Sequence, residues 1–355
     1  MQTCIVYVGL LLFAFLCARI AELTNKKIYV MYIVVAFSLV AGLRKSTVGI
    51  DTLGYINCLE SISIGKLDLA YGLEWSFRYI CYGLSFVLKE PQMFLILFAF
   101  VTNGLIALRL WDFRKYISFS WAITIYYIMF YMMSLNLMRQ YVAIAIVFYA
   151  TKYLNQSKHI KYLLFVLLAT LFHQSALIGI IYIFFNITAW KYLSKKQKGF
   201  FITVGCLSPF VFIYVFISLI QYSDYFKNSS LNMGLMIIIK ILFFVVISLI
   251  LDRTEFYSCS QENRIELGYI QRTSASAYFV GLLLTALGYV WKIVSRIGLY
   301  FYIFEPVYIG MVFKQKNTRK NLIIKIIAIF IFSYQFFNNL TGNGQGQLPY
   351  LFCWQ

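Results

Sequence analysis

The chain has 355 residues, of which 61% are hydrophobic and only 12% are charged, against about a quarter charged in an ordinary soluble domain. Aromatic residues make up 19% of the sequence, which is more apolar side chain than a soluble domain of this size can bury. This composition excludes a disordered protein, a disulfide scaffold and a cytosolic enzyme. It indicates a polytopic membrane protein.

Apolar segments of about 15 to 22 residues recur along the chain between short polar breaks. They predict spans at 3–20, 28–43, 92–111, 119–135, 137–154, 199–220, 234–251, 274–291, 297–313 and 321–337. The apolar stretch 161–188 is interrupted by His173-Gln174-Ser175 and predicts two short helices that meet there. The expected fold is therefore an all-α membrane bundle of about 12 transmembrane helices, forming one polytopic domain over 1–355.

Two segments do not fit a span. Residues 44–90 form the longest polar break, an outer loop whose second half, 75–88, is amphipathic and rich in aromatic residues. This pattern favours a helix lying in the membrane interface. The Gly-rich sequence at 341–347 predicts that 338–355 is a flexible tail.

The net charge of +18 has to be sorted by membrane side. Twenty of the 31 Lys and Arg residues fall in alternate loops, which the positive-inside rule makes cytoplasmic. Lys240 and Lys325 lie inside predicted spans, and the outer side holds the other nine: Arg44, Lys45, Lys66, Arg78, Lys89, Arg139, Lys227, Lys292 and Arg296. Most of the charge is thus a topology signal, and it gives no support to nucleic-acid binding.

Three outer arginines, Arg44, Arg139 and Arg296, lie at or near the outer ends of predicted spans. A single arginine there can be a snorkelling side chain that anchors a helix end. Three at one membrane level favour a shared anionic ligand, because guanidinium groups bind phosphate oxygens in a bidentate way. Arg139, with Gln140, opens a helix, where the helix dipole also favours an anion.

Other polar residues accompany these arginines. Asp51 follows a glycine turn after Arg44, where it can orient the arginine, accept a proton or cap the next helix. His173 and Ser175 lie at a helix break, which is tolerated at membrane depth only inside protein or beside a cavity. A lone histidine is more often structural, so a place in the cavity wall and a role in proton transfer both stay open.

The segment after Arg296 carries two further features. Tyr300 follows Arg296 by four residues and shares its helix face. Glu305 lies near the middle of the same predicted span, and we expect it to pair with a neighbouring helix. Pro306 beside it predicts a kink.

Motifs for metal or nucleotide chemistry are absent from the sequence. The seven Cys form no CxxC pair, there are only two His, and there is no Asp-x-Asp, P-loop, Gly-x-Ser-x-Gly or His-Glu-x-x-His. We therefore expect no metal and no cofactor.

Four motifs together resemble those of EpsG-like proteins, which belong with Wzy-type O-antigen and exopolysaccharide polymerases. They are AGLRKSTVGIDTLGY at 41–55, NLMRQYVAIAI at 136–146, ATLFHQSALIGI at 169–180, and Arg296-x-x-x-Tyr300 with the terminal Leu-Pro-Tyr. The resemblance covers most of the chain in order.

The resemblance implies a metal-independent, GT-C-like glycosyltransferase in the bacterial inner membrane, with its active site on the periplasmic side. It would join oligosaccharide repeat units carried on undecaprenyl diphosphate. Membrane lipid and a chain-length regulator protein are the other implied partners.

By this resemblance Arg44, Arg139 and Arg296 would bind the diphosphate. The candidate bases are His173, Asp51 and Glu74, with the first two preferred. The supporting residues would be Gln140, Ser175, Tyr300, Tyr55 and Glu74.

Two other functions use related features. An O-antigen ligase relies on the same arginine chemistry. Its large outer loop lies late in the chain, whereas the longest outer loop of the present sequence, 44–90, lies early. A flippase or transporter favours inverted repeats and charges along a path, and the sequence shows no repeat.

Overall fold

The computed structural model describes residues 2–185, 235–251, 261–288, 291–344 and 346–355. These residues form two compact units. The first takes in the described residues of Met1–Tyr149, Leu167–Ala176 and Ile309–Gln355, and the second takes in those of Ala150–Val166 and Leu177–Tyr308. The prediction of a single domain stays a prediction.

The described residues are helical almost throughout, as predicted, and the only strand-like pairing among them is one bridge between Arg44 and Phe352. The α-helices are α1 Gln2–Thr24, α2 Ile28–Gly42, α3 Thr52–Ser63, α4 Trp75–Ser85, α5 Pro91–Asp112, α6 Phe119–Tyr126, α7 Met132–Asn136, α8 Met138–Asn155, α9 His159–Thr170, α10 Tyr182–Phe185, α11 Leu235–Leu251, α12 Gln261–Leu287, α13 Lys292–Tyr302, α14 Glu305–Lys314 and α15 Arg319–Gly342. Short 3₁₀ helices cover Leu67–Ala70 and Gln174–Ile181, and a π-helical turn covers Tyr127–Tyr131.

Four helical segments are long and apolar enough to cross a membrane: Ile5–Thr24, Pro91–Asp112, Ile293–Lys314 and Arg319–Gly342. Shorter apolar helices cover Ile28–Gly42, His159–Thr170 and Met236–Ser248. The predicted span at 199–220 lies outside the described residues. The total of about 12 therefore stays a prediction.

The surface of α1 shows which solvent this fold requires. Its buried side chains recur at helical spacing, with Tyr7, Ala14 and Ala21 fully buried. Between them Ile5, with 61% of its surface exposed, and Leu23, with 70%, are as apolar as the core. Helix α15 repeats the pattern. Apolar side chains on both faces are stable when the outer face contacts lipid rather than water.

Close helix packing in the second unit depends on glycine. A Cβ at Gly281 of α12 would lie 2.6 Å from the Cα of Tyr302 at the end of α13. A Cβ at Gly298 of α13 would lie 2.9 Å from the Cβ of Leu284. Small residues let two backbones approach where lipid provides no hydrophobic force between helices.

One predicted span is built differently from expectation. The segment 297–313 forms two helices, α13 and α14, with a break at Ile303 and Phe304. Pro306 lies in the first turn of α14, so it begins a helix instead of kinking one. Proline fits this position because the first turn of a helix needs no backbone donor from it.

The C-terminal segment also differs from the predicted flexible tail. Helix α15 continues to Gly342, and the residues after it fold back, with Gln347 and Tyr350 buried. The backbone N–H of Gly49 donates to the carbonyl of Gly346 at 2.7 Å, and that of Lys45 donates to Leu351 at 2.9 Å. The reason is that the loop after α2 offers backbone partners for this segment, which a local sequence pattern does not reveal.

Candidate functional site

The loop between α2 and α3 is shaped by Gly49, which has a φ of +95°. A Cβ there would lie 2.7 Å from both the Asn136 Oδ1 and the Thr52 Oγ1 atoms. Glycine is therefore required for both its backbone conformation and its size. The turn brings the Asp51 N–H to 3.5 Å from Asn136 Oδ1, next to the junction of α7 and α8.

Arg44 is buried inside this loop, with only 2% of its surface exposed. Its Nε donates to Thr52 Oγ1 at 3.1 Å, its Nη1 to the Ala41 carbonyl, and its Nη2 to the Leu135 carbonyl at 2.8 Å. Burial lowers the pKa of Arg44 to about 10, so the group stays charged at neutral pH. Arg44 thus ties the end of α2 to the end of α7.

Arg139 lies in the first turn of α8, four residues beyond the carbonyl that Arg44 holds. Its Nη1 forms an ion pair with Glu74 Oε2, and 16% and 15% of the two side chains are exposed. Its Nη2 donates to the Gly72 carbonyl at 3.4 Å. The Nε of Arg139 is buried and has no hydrogen-bond partner among the described residues. The Arg139 side chain is therefore partly exposed, and its buried Nε is a donor without a hydrogen-bond partner among the described residues.

His173 completes this cluster from the break after α9. Its Nε2 lies 3.9 Å from Glu74 Oε1, and its Nδ1 lies 2.6 Å from Ser175 Oγ. The Ser175 N–H also donates to Nδ1, at 3.3 Å. The Ser76 hydroxyl, at the start of α4, donates to the Leu171 carbonyl at 2.7 Å. The break that the sequence predicted is thus fixed against the helix that follows Glu74.

Aromatic rings line the cluster. The Arg139 guanidinium lies 5.9 Å from the ring centroid of Tyr55 and 5.8 Å from that of Phe77. The Phe77 ring packs in turn on Phe98 at 5.2 Å and on Phe172 at 6.3 Å. Apolar walls exclude water and strengthen the electrostatic interactions of the arginine.

The structure places the predicted site residues in different surroundings. Glu74, Arg139, His173 and Ser175 come together, with Tyr55 beside them, and Gln140 is buried next to Arg139 in α8. Asp51 is exposed at the start of α3 and forms no side-chain cap there. Arg296 and Tyr300 belong to α13 in the second unit, the former exposed and the latter buried.

Two features of the first unit were predicted only in part. Glu74 was expected as a supporting residue and as the least preferred of three candidate bases, and the structure makes it the direct partner of Arg139. Phe77 belongs to the predicted aromatic helix at 75–88 but was not named as a site residue. The signal for Glu74 was an acidic residue just before an amphipathic helix in an otherwise basic protein, but no local pattern identifies its partner.

A second polar cluster is buried in the second unit. The Lys240 Nζ of α11 lies 2.9 Å from the Glu305 Oε1 of α14, and their side chains are 2% and 0% exposed. The Tyr278 hydroxyl donates to the same oxygen at 2.9 Å, and Lys240 also donates to the Tyr302 hydroxyl. The expected partner of Glu305 on a neighbouring helix is therefore Lys240.

Metal-ligating side chains do not gather within the described ranges: no three His, Cys, Asp or Glu residues there come together. The absence of a metal and of a cofactor stays a prediction.

The helices and their exposed apolar faces define a multi-pass membrane protein of the all-helical class, with an arginine, carboxylate and histidine site at its helix ends. The model of the EpsG family matches residues 27–352, and the chain belongs to this family. Membership confirms the predicted resemblance and indicates a role of the polysaccharide polymerase or glycosyltransferase type. No curated protein and no solved structure matches the chain.

Proposed function

We propose that the protein is a polysaccharide polymerase of the bacterial inner membrane. It joins oligosaccharide repeat units carried on undecaprenyl diphosphate, on the periplasmic face, to make an O-antigen or exopolysaccharide. The observation that carries this proposal is the cluster of Arg139, Glu74 and His173 at the start of α8 in a chain of the EpsG family. The cluster offers a cation for a diphosphate and groups that can accept a proton.

The reaction is a glycosyl transfer. The bond between the anomeric carbon of the growing chain and its diphosphate oxygen breaks, and undecaprenyl diphosphate leaves with the electron pair. A hydroxyl oxygen of the new lipid-linked unit forms a bond to that carbon, and its proton passes to a base. Negative charge develops on the leaving diphosphate, so a preorganised cation there lowers the barrier.

Arg139 is the arginine best placed for the diphosphate. It lies near the surface at a helix N-terminus, with a donor that has no partner among the described residues. Arg44 and Arg296 remain candidates for the same diphosphate. Arg44 would first have to give up its bonds to Thr52, Ala41 and Leu135, so in the present arrangement its effect on the site passes through α7.

The remaining roles follow the same proposal. His173, Asp51 and Glu74 are the candidate bases, and the two that lie beside Arg139 are His173 and Glu74. Gln140, Ser175, Tyr55 and Tyr300 support the site. We also propose a single GT-C-like domain with about 12 spans, chemistry without a metal, and a chain-length regulator protein as partner.

Substitution of the arginines tests the polymerase. In cells that lack the native gene, we expect Arg139→Ala and Arg296→Ala to reach normal membrane levels but to yield glycan with a single repeat unit. The reason is that the leaving diphosphate is no longer stabilised, which for one preorganised donor lowers the rate by about 10²–10³-fold. Gel electrophoresis of the glycans measures the ladder, and Lys66→Ala, an exposed outer cation, is the control that keeps it.

Three results would contradict the proposal. Normal ladders from both arginine variants would remove the arginines from the chemistry. Long polymer stranded on the carrier lipid after deletion of the gene would identify a ligase instead. Transport of intact lipid-linked units without any new glycosidic bond would identify a flippase.

A further inference from the structure

The contacts of His173 determine which group beside Arg139 can take a proton. A backbone N–H can only donate, and the Ser175 N–H donates to His173 Nδ1 at 3.3 Å. The Nδ1 atom is therefore an acceptor, and the proton of the neutral ring lies on Nε2. The Nε2 atom faces Glu74 Oε1 at 3.9 Å. Neutral His173 thus presents a donor to Glu74, and its acceptor nitrogen is already in use.

Glu74 is the group in this cluster with basic oxygens directed at the site. It precedes the first residue of α4 and forms no side-chain cap with that helix. Its carboxylate instead contacts Arg139 through Oε2 and lies near His173 through Oε1. A carboxylate paired with a guanidinium holds a proton weakly, because the positive charge favours the ionised form. Glu74 can therefore serve as a base only after Arg139 has another anion to bind.

The Arg139 guanidinium is ready for such an exchange. Its Nε has no hydrogen-bond partner among the described residues, and the rings of Tyr55 and Phe77 hold the group in place. A diphosphate carries more negative charge than a carboxylate and accepts the same forked hydrogen bonds. It would therefore compete with Glu74 for the arginine.

We propose that Glu74 is the proton acceptor of the glycosyl transfer, and that the donor diphosphate releases it by binding to Arg139. In the step, the acceptor hydroxyl gives its proton to the Glu74 carboxylate as its oxygen bonds to the anomeric carbon and the diphosphate leaves. His173 is a positioning residue that holds the released carboxylate through Nε2. The inference rests on the proposed polymerase function and couples activation of the acceptor to the presence of the donor.

The Glu74→Gln variant separates binding from turnover in full-length protein in lipid nanodiscs. We expect it to bind inorganic pyrophosphate and undecaprenyl diphosphate several-fold more tightly, because the competing charge is gone. We expect its polymerisation of lipid-linked units to fall about 10²–10⁴-fold, because the base is gone. Calorimetry measures the binding, and the release of undecaprenyl diphosphate measures the turnover. Comparing the two probes shows whether the lipid chain contributes to affinity.

Three further variants make the test specific. Glu90→Gln changes a glutamate that likewise precedes a helix, at the start of α5, and should leave both quantities unchanged. Glu74→Ala with added formate should recover part of the turnover, because a free carboxylate can replace a missing base but not a missing structural contact. If Glu74→Gln lowers the yield of folded protein, Glu74→Asp is the substitute, because its shorter side chain draws the carboxylate away from Arg139, and we expect tighter pyrophosphate binding with reduced turnover.

Several outcomes would overturn the proposal. Weaker pyrophosphate binding by folded Glu74→Gln protein would mean that the carboxylate orients Arg139 rather than competing for it. Unchanged turnover, or no recovery with formate, would exclude Glu74 as the base. Failure of the wild type to form polymer would contradict the polymerase function instead, and the pyrophosphate measurement would still test the exchange at Arg139.

Discussion

At the scale of single residues, Gly49 and Arg44 build the loop on which the first unit's site depends. Gly49 allows the turn, and Arg44 uses three nitrogens to hold Thr52, Ala41 and Leu135. Arg139 follows Leu135 by four residues, so the loop fixes the helix start from which Arg139 projects. A buried guanidinium that binds backbone carbonyls is costly to disturb, because each carbonyl would be left without a partner.

Two glycine substitutions test the turn. We expect Gly49→Ala to destabilise the protein by about 1–3 kcal/mol, since alanine is strained at positive φ and its Cβ would meet Asn136 and Thr52. Gly54→Ala is the matched control in α3, where a Cβ meets nothing within 4 Å. It should raise stability by about 0.5–1 kcal/mol through helix propensity. Thermal unfolding in detergent measures the stability of both variants. Equal effects of the two substitutions would contradict the requirement for glycine at position 49.

At the scale of elements, polar chemistry gathers where helices are interrupted. Leu137 separates α7 from α8 just before Arg139, and the break after α9 presents His173. In the second unit the break between α13 and α14 precedes Glu305. Interrupted backbone exposes groups that lipid cannot satisfy, so such breaks are stable only where protein or water supplies partners. Each break here is accompanied by polar side chains.

The buried pair that links α11 to α14 gives an element-scale prediction. Lys240→Met and Glu305→Met should each destabilise the protein by about 3–5 kcal/mol, because each leaves an unpaired buried charge. The double variant should recover most of that loss. Lys325→Met is the control, since this buried lysine bonds to the Gln315 carbonyl and the Asn317 amide oxygen and leaves no carboxylate behind. The unfolding midpoints of the four variants measure their stability. If the double variant loses the sum of the two single losses, the two residues are not coupled.

At the scale of the whole molecule, charge and apolar surface divide the chain between two aqueous sides and the lipid. The helices expose Ile, Leu and Phe side chains, while twenty of the 31 cations fall in loops predicted to be cytoplasmic. A membrane potential and anionic lipids both hold such loops on the inside. Orientation is therefore a property of the charge distribution rather than of any one contact.

Cysteine labelling tests this orientation in intact cells. In a variant without the seven native cysteines, Asp68→Cys should react with a membrane-impermeant maleimide, because residue 68 belongs to the predicted outer loop and is exposed. Gln156→Cys, exposed in a basic loop between α8 and α9, should react only after the cells are opened. The reverse pattern would invert the predicted topology and move the site to the cytoplasm.

The fold class was accessible from the sequence because it depends on composition and on the length of apolar runs. The helices α1, α2, α5 and α15, the break at His173 and the amphipathic helix α4 all lie where the pattern predicts them. A kink was predicted at Pro306, but the break at Ile303 and Phe304 was not, since the apolar pattern runs through these two residues without a polar residue. The sequence shows Glu305 and Pro306, but it does not show whether the helix ends before or after them.

Only part of the site could be predicted from the sequence. Arginine at helix ends and histidine at a break are local signals, and they selected Arg139 and His173. The pairing of Arg139 with Glu74 and the burial of Arg44 join residues about 65 and 91 positions apart in the chain. Contacts of that separation depend on how helices pack, and a periodic pattern carries no information about partners.

The sequence alone therefore determined that this protein is an all-helical membrane protein, because hydropathy acts residue by residue against a uniform solvent, and it predicted that the positive charge is sorted by side. Only the tertiary structure decided that Glu74 holds Arg139, that Arg44 holds backbone carbonyls, and that the C-terminal segment packs on the loop after α2. In each case several groups in the chain could have formed the contact. The distances between these groups and their desolvation in the assembled helices decide which pairs form.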